Sequence, residues 1–402
     1  MGITGENYEI WLEGVERPTY PKTAIPQETE YVIIGGGITG VVAAYMLSKE
    51  NKKVVLFEKG RLGEWVTDCT TGFLTGEIDT DPIKLVQQYG IEKAGLILAS
   101  HREAIDIVEK IIQEEHIECE FKRCPNYMYA NNSHEEKRLL KIITVLKKLG
   151  VNAEYKNDGA LGFSKFGYVE MPDQGKFHVM KYMTALAQIA HTRGAIIAEN
   201  TEVASVTNDK NGLLVKIKDN AVIQAKKVIS ATYEPFGKLK ELSEKTSMYR
   251  SYVLEYTLPI NALPEATYCD ELDPYHYFRI DHQNNFDRMI IGGEDNLAVI
   301  RSDRELSLNR IRIYTDKLLA GYEHTETRHW SGLILNSLDG LAYIGESHGG
   351  NIFYAFAFCG NGMTYSHIAG KILLDAINKK ENKYADIYNT DRKISWWTKL
   401  LL

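Results

Sequence analysis

The stretch Tyr31–Gly60, YVIIGGGITGVVAAYMLSKENKKVVLFEKG, constrains this chain more than any other. An apolar run, Tyr31 to Ile34, enters the turn Gly35-Gly36-Gly37-Ile38-Thr39-Gly40. A helix follows at once with Val41, Val42, Ala43, Ala44, Met46 and Leu47, and a second apolar run, Lys53 to Phe57, ends in Glu58. That order predicts a strand, a glycine turn, a helix, and a strand closed by an acid, which is the dinucleotide-binding unit of a parallel sheet. Gly35 permits the tight turn, Gly37 lets a pyrophosphate approach the backbone, and Gly40 lets the helix lie close on the strand. The helix start, at Ile38 and Thr39, offers unpaired N–H groups and a partial positive charge to the phosphates. Glu58 stands about 20 residues on, where a carboxylate accepts hydrogen bonds from ribose hydroxyls. The motif alone does not choose between FAD and NAD; its position behind the lead 1–29 favours FAD.

At 402 residues the chain can bury a large core and is expected to form two domains. A net charge of −7 argues against general affinity for nucleic acid or anionic membrane. The N-terminus, MGITGENYEIWLEG, lacks a basic region followed by an apolar core, so no secretory signal is expected. Cys69, Cys119, Cys124, Cys269 and Cys359 follow no framework spacing, which predicts reduced thiols in the cytoplasm. Cys119 and Cys124 have no evident further ligands, so no metal site is expected.

Along the chain, the proline-bearing lead 1–29 reads as an extended segment over the surface, and Glu58 is followed by an irregular Gly/Thr-rich segment, Lys59 to Asp79. Apolar spacing predicts helices over about Pro82–Glu118, Ser133–Leu149 and Phe177–Arg193. Short strands are expected at Tyr127–Tyr129, Ala195–Ala198, Val203–Val206, Leu213–Ile217, Val222–Ala225 and Lys227–Ala231. Residues 250–300 alternate like half-buried strands of an antiparallel sheet, and Asn351–Asn378 reads as strand, glycine loop and helix. The expected division is a discontinuous nucleotide domain of 30–80, 170–235 and 330–390, a second domain of 81–169 and 236–329, and a tail, 391–402, ending in WWTKLLL.

With these residues in place the chain resembles the glycine/D-amino-acid oxidase family of FAD-dependent oxidoreductases over nearly its whole length. The anchors are VIIGGGITG at 32–40, FEKG at 57–60, QGKFHVMKY at 174–182, VISAT at 228–232, MIIGGED at 289–295, LDGLAYIG at 338–345 and FCGNGMTYSHIAGK at 358–371. The resemblance implies an α/β fold: an FAD-binding Rossmann-like domain of the glutathione-reductase type, with a second α+β substrate domain on an antiparallel sheet. It implies that Glu58 holds the adenosine ribose and that Lys59 sits near adenine or ribose. Thr70, Thr71 and Gly72 would pass the pyrophosphate and flavin ring, Val203 would face adenine, and Ala231 and Thr232 would line the dinucleotide. The loop Gly360, Asn361, Gly362, Met363 and Thr364 would lie against the flavin ring, where a helix N-terminus stabilises the charge of the reduced flavin. The lead, with Trp11, Arg17-Pro18 and Tyr20-Pro21, is similar to the branch whose members often carry a C-terminal Rieske domain. Such a domain would begin after Tyr388 and Arg392, and Cys/His ligand pairs for it are lacking, so the electron acceptor is expected to be oxygen or an external carrier.

Three departures bear on chemistry. Where sarcosine oxidases carry a flavin-linking cysteine this chain has Gly332, so FAD is expected to be noncovalent. Where they carry a substrate-binding lysine it has Thr364, and Cys359 stands in place of a usual glycine. In Tyr275-His276-Tyr277-Phe278-Arg279, strand alternation puts Tyr275, Tyr277 and Arg279 on one face, where two phenols and a guanidinium suit a substrate carboxylate; packing and a structural ion pair are the other reading. His178 reads as a helix cap, Trp330 as junction packing, and Glu294-Asp295 as a turn or a flavin neighbour. The expected activity is oxidation of the C–N bond of an amino acid or secondary amine by hydride transfer to flavin. A 2-hydroxy-acid dehydrogenase and a flavin-binding accessory protein without turnover remain open. No nucleic-acid partner and no stable membrane insertion are expected.

Overall fold

The computed structural model describes residues 9–20, 25–219, 221–236, 244–298, 304–346 and 351–393. The first part of the chain runs β1 (Glu28–Ile34), α1 (Ile38–Lys49), β2 (Val54–Phe57), β3 (Phe73–Leu74), α2 (Pro82–Glu115), β4 (Lys122–Tyr129), α3 (Ser133–Lys148), β5 (Glu154–Lys156), β6 (Tyr168–Lys176) and α4 (Val179–Thr192). It continues through β7 (Ile196–Ala198), β8 (Val203–Asp209), β9 (Gly212–Ile217), β10 (Val222–Ser230), β11 (Thr246–Leu258), β12 (Thr267–Asp270), β13 (His276–His282) and β14 (Asp287–Leu297). Last come α5 (Arg304–Leu318), β15 (Thr325–Ser337), β16 (Tyr343–Glu346), β17 (Ile352–Phe356), α6 (Gly362–Ile377) and the short α7 (Ala385–Tyr388).

The strands form two sheets. The first has the order β16-β17-β10-β1-β2-β7, with β9 and β8 continuing from β10. Its centre is parallel: β1 pairs with β2 on one side and β10 on the other. Central strands of this kind are covered on both faces, so they read as unbroken apolar runs. Val32, Ile33, Val55 and Leu56 are accordingly buried. α1 is buried from Ile38 to Ser48 because it lies under the sheet and between α4 and α6. Gly370 of α6 makes that helix pair close: a Cβ there would come 2.6 Å from Met46 Sδ.

The second sheet has the order β15-β11-β14-β13-β12-β4-β6-β3, with β5 on β6. Its pairings are antiparallel apart from β4 with β12. One face packs a second cluster, including Tyr252, Tyr268, Phe278 and Ile291, against Leu308 and Ile311 of α5, a helix the residue spacing did not disclose.

The strand memberships move the expected boundaries. β6 and β15 belong to the second sheet, so the stretches 170–235 and 330–390 each contribute strand residues to it; β3 does the same for 30–80. The reason is pairing: β15 runs along β11 from Thr246↔Ser337 to Thr257↔Thr325. The two strands expected across 222–231 are one, β10, which pairs antiparallel with β9 at its start and parallel with β17 at its end. α2 starts on Asp81, whose Oδ1 accepts from Ile83 N and Lys84 N, and it breaks at Gly90, where φ is +75°. Among the described residues no helix is long and apolar enough to cross a membrane. The WWTKLLL segment lies outside the described residues.

Candidate active site

The carboxyl ends of β1, β2 and β10 meet at the glycine turn. Gly35 has φ +106°, and a Cβ on it would lie 2.6 Å from Ala231 O at the end of β10. Ala231 N in turn donates to Ile34 O at 2.9 Å. Thr232 bonds Ser230 Oγ at 3.1 Å through its hydroxyl. Glu58 closes β2 with its carboxylate turned back on the turn: Oε2 accepts from Gly36 N at 2.6 Å and Oε1 from Gly60 N at 2.8 Å. A carboxylate has about four lone-pair sites, so two remain for ribose hydroxyls. Replacing Glu58 with Ala removes a charge-assisted acceptor worth about 1.5–3 kcal/mol. FAD affinity, measured by titrating apoprotein with FAD, is expected to fall about 10- to 100-fold.

Two helix starts point into this region without side-chain caps. Gly37 precedes α1 and Asn361 precedes α6, and neither side chain caps its helix. The two starts are tied together by Thr39 Oγ1 and Ser366 Oγ at 2.9 Å. Asn361 Oδ1 is buried and has no hydrogen-bond partner. Uncapped helix N-termini, a strained glycine turn and an orphaned polar atom fit a dinucleotide running from one helix start to the other. Lys59 stands over the Trp65 ring at 4.4 Å, and Val203 begins β8, two residues after Thr201, whose N–H donates to Glu58 O at 2.7 Å. Gly362 opens α6, while Met363 is buried and its carbonyl contacts His367 Nδ1 at 2.8 Å.

The segment Cys69–Gly72 is fixed carbonyl by carbonyl. Trp330 Nε1 donates to Cys69 O at 2.8 Å, and Trp11 Nε1 donates to Thr70 O at 2.6 Å. Arg279 Nη1 donates to Thr71 O and Gly72 O, both at 3.0 Å, and to Phe177 O at 3.3 Å. Three distant stretches, the lead, β13 and β15, therefore hold one loop. Trp11 also faces the Arg279 guanidinium at 5.4 Å and is wholly buried, so the lead is part of the core here. Trp11→Phe keeps an aromatic ring, removes one hydrogen bond and leaves a small cavity where the indole's pyrrole ring was. It is expected to lower stability by about 1–3 kcal/mol in equilibrium denaturation, the hydrogen bond and the cavity together.

This geometry corrects the reading of Arg279 as a carboxylate clamp. Its Nε and Nη2 both donate to Asp281 Oδ1, at 3.0 and 2.7 Å, and the residue is 3% exposed. Lys176 and Arg288 share the same carboxylate. Burial would raise the Asp281 carboxyl, yet Arg279, Lys176 and Arg288 hold it well below the usual range. Arg279 is a buried structural ion pair. Thr364 is likewise turned inward, donating to Asn361 O at 3.1 Å and meeting His101 Nδ1 at 2.9 Å.

Tyr275 and Tyr277 do meet the last glycine loop's neighbourhood, with partners that spacing did not single out. Their rings stack at 5.8 Å, and Phe73 meets Tyr277 edge-on at 5.6 Å. Tyr275 OH donates to Asp295 Oδ2 at 3.2 Å, and Tyr277 OH bonds Ser251 Oγ at 3.3 Å. Asp79 reaches the loop from the other side: a Cβ on Gly360 would lie 2.5 Å from Asp79 Oδ2. Asp79 is closely surrounded by protein atoms and yet exposed to solvent. Burial, then the charge of Asp295, pushes the Asp79 carboxyl up to about 7. Nothing in the local sequence marks Asp79, which lies 281 positions before Gly360. Two open surface clefts, of about 520 and 650 Å³, are lined by other residues, among them Tyr89 and Lys383 in one and Arg17 and Lys181 in the other.

Cys359, beside this loop, is buried; its Sγ accepts from Ser337 N at 3.4 Å, and burial pushes its thiol up to about 11. A Cβ at Gly332 would lie 3.6 Å from Cys69 Cβ, and burial pushes the Cys69 thiol up as well. His178 caps α4, accepting from Lys181 N at 3.3 Å.

A parallel nucleotide-type sheet, with helices on one face and the β8–β9 strands on the other, joined to a mostly antiparallel second sheet, is the plan of a flavin-type oxidoreductase. The profile of the family described as FAD dependent oxidoreductase (DAO) matches residues 30–376. The chain belongs to that family, and it is an FAD-dependent oxidoreductase. It is 27% identical over 386 residues to the putative Rieske 2Fe-2S iron-sulfur protein YhfW of Bacillus subtilis (strain 168), covering 95% of this chain and 75% of the relative. It is 21% identical over 370 residues to glycine oxidase of Geobacillus kaustophilus (strain HTA426), covering 88% of this chain and 94% of that one. The crystal structure of glycine oxidase from Geobacillus kaustophilus superimposes with a TM-score of 0.75 at 20% identity, covering 92% of this chain and 100% of that one. L-proline dehydrogenase from P. horikoshii gives a TM-score of 0.74 at 20% identity, covering 91% and 98%.

Proposed function

We propose that the chain oxidises the C–N bond of an amine or amino acid, with noncovalent FAD, to an imine that water hydrolyses. The observation that carries this reading is the pairing of Asp79 and Asp295 with Tyr275 at the loop that opens α6. Carboxylates and phenols hold an ammonium group well. They do not suit a 2-hydroxy acid, which brings no ammonium for them and only a carboxylate that needs a cation, while Arg279 is committed to Asp281 and three carbonyls.

The FAD, when bound, supplies the hydride acceptor for the carbon that bears nitrogen. The protein's part is to place that carbon and to take one proton from its ammonium before hydride leaves. Glu58 and the Gly35–Gly40 turn would hold the adenosine and pyrophosphate, and the starts of α1 and α6 would face the phosphates and the flavin. The pinned carbonyls of 69–72 keep the loop between them in one shape. Naming of relatives as glycine oxidase and L-proline dehydrogenase supports C–N chemistry in this fold. The buried Cys69 and Cys359 thiols support a noncovalent cofactor.

The test is anaerobic bleaching of the purified flavoprotein by a panel of amines, amino acids and 2-hydroxy acids. Bleaching by compounds with a C–N–H carbon supports the reading. Bleaching by hydroxy acids alone, or by nothing in the panel, overturns it, the latter in favour of an accessory role. Readmitting air then separates oxygen from another acceptor.

A further inference from the structure

We propose that the substrate is a cationic alkyl amine or diamine with no carboxylate on the reacting carbon, its ammonium held by Asp79 and Asp295 against the rings of Tyr275 and Tyr277. This rests on the amine-oxidising reading above and narrows it. The first ground is uncompensated charge. Asp79 feels Asp295, Glu77 and the Asn361 amide; Asp295 feels Ser251, Tyr275 and Glu294. Among the described residues, no cation is among the groups acting on either carboxylate. The neighbouring cations are engaged elsewhere: Arg310 pairs with Glu294 at 3.2 Å, and Arg279 is bound to Asp281. Arg250 donates to Ser331 Oγ at 3.0 Å. Arg102, whose buried Nη1 has no hydrogen-bond partner, acts on Glu77 and is not among the groups acting on Asp79 or Asp295. His276 packs between Asp270 and Glu294, at 3.2 and 3.7 Å. The Asp295 oxygen withdrawn from water without a partner is costly, and a bound cation removes that cost.

A second, independent ground is an orphaned acceptor. Asp295 Oδ1 is buried and has no hydrogen-bond partner, although Oδ2 of the same carboxylate accepts from Tyr275 OH. An ammonium group brings the missing donors. The stacked phenol rings add the negative π faces that attract such a cation. The third ground is what a zwitterion would meet. An α-carboxylate would enter beside two carboxylates, with Thr364 turned away and no free guanidinium on β13. Like charges at this range repel strongly in a low dielectric. Asp79 has a further part. The ammonium must lose one proton before its carbon can give up hydride, and the ionised Asp79 carboxylate accepts that proton, becoming neutral.

The probes are tert-butylammonium and pivalate, which match in shape, differ in charge, and have no hydrogen on the carbon bearing the charged group. Each is titrated calorimetrically into the FAD-loaded protein at pH 6 and pH 8. The cation is expected to bind at least tenfold more tightly than the anion, and more tightly at pH 8, where Asp79 is ionised. Asp295→Asn is expected to cut cation affinity about tenfold. Asp79→Asn, at a solvent-reached side chain, is expected to remove the pH dependence should Asp295→Asn not fold. Tighter binding of pivalate, no binding of the cation, or no change in either folded variant overturns the proposal. If amino acids bleach the flavin and the cation neither binds nor competes, this inference fails while the amine-oxidising reading stands. If no amine or amino acid bleaches it, that reading fails.

Discussion

Arg279→Gln is expected to destabilise the protein by about 3 kcal/mol or more and to weaken FAD binding at the same time. Breaking a buried ion pair from one side costs about 3–5 kcal/mol, because the other charge is left behind. Asp281 keeps Lys176 and Arg288, which places the charge effect at the low end. Three carbonyls, of Thr71, Gly72 and Phe177, lose their donor as well. Since two of them belong to the loop 69–72, the loop loosens and FAD affinity falls with stability. A substrate clamp would behave differently: it would raise KM and leave both the denaturation midpoint and FAD affinity unchanged. Arg279→Lys separates the two roles further, since it restores charge to Asp281 but cannot span the three carbonyls. It is expected to recover part of the stability and little of the FAD affinity. The pH dependence has a definite sign. The Asp281 carboxyl lies lower in the folded than in the unfolded state, so its contribution is full above the ordinary carboxylate pKa of about 3.9 and is lost as pH falls through the folded value. The deficit of Arg279→Gln at neutral pH is therefore expected to shrink on acidification below about pH 4.

What the sequence made legible follows how local each signal is. The unit from Tyr31 to Glu58 was readable because strand, turn, helix and acid lie within one short stretch, and each constrains the next. The loop at Gly360–Thr364 was readable for the same reason. Of the two readings of Arg279, clamp and structural ion pair, the sequence could not choose, because strand alternation places Tyr275, Tyr277 and Arg279 on one face but says nothing of what stands opposite. Asp281, two residues on along the same strand, takes the guanidinium. Asp79 was hidden because its significance arises only when the chain brings it to Gly360. The sheet membership of β6 and β15 was hidden for the same reason: their apolar runs look alike whichever sheet they join, and only their partners, β4 and β11, decide. Trp11 was placed by likeness as part of a lead, but a polar, proline-bearing context concealed that its indole is wholly buried against Thr70 and Arg279.

Gly40→Ala is expected to abolish FAD binding in whatever protein folds. A Cβ at this position would fall well inside contact with Gly35 O, and 3.3 Å from Ile33 Cγ2. The obstacle is main chain in the turn, not the end of a flexible side chain, so it cannot swing aside. Either α1 backs away from β1 or the Gly35 peptide turns. Backing away opens the packing of a helix that is buried from Ile38 to Ser48 and tied at Thr39 to Ser366. Turning the peptide displaces the phosphate-facing backbone, and Gly35 has little latitude with φ +106° and Ala231 O beside it. Overpacking costs about 1–3 kcal/mol in an adaptable core and more where backbone must move. Two other glycines calibrate the result. Gly37→Ala meets only Thr67 Oγ1, at 3.3 Å, and is expected to weaken FAD binding without destabilising the fold. Gly95→Ala lies within α2 with nothing nearer than Leu149 O at 3.7 Å, and is expected to be neutral or stabilising by up to about 1 kcal/mol, the helix preference of Ala over Gly. The measurement is the ratio of visible flavin absorbance to protein absorbance after purification, with the denaturation midpoint beside it. Retention of wild-type flavin content by Gly40→Ala would mean that the turn does not carry the pyrophosphate, and the cofactor site would have to be sought elsewhere along the first sheet.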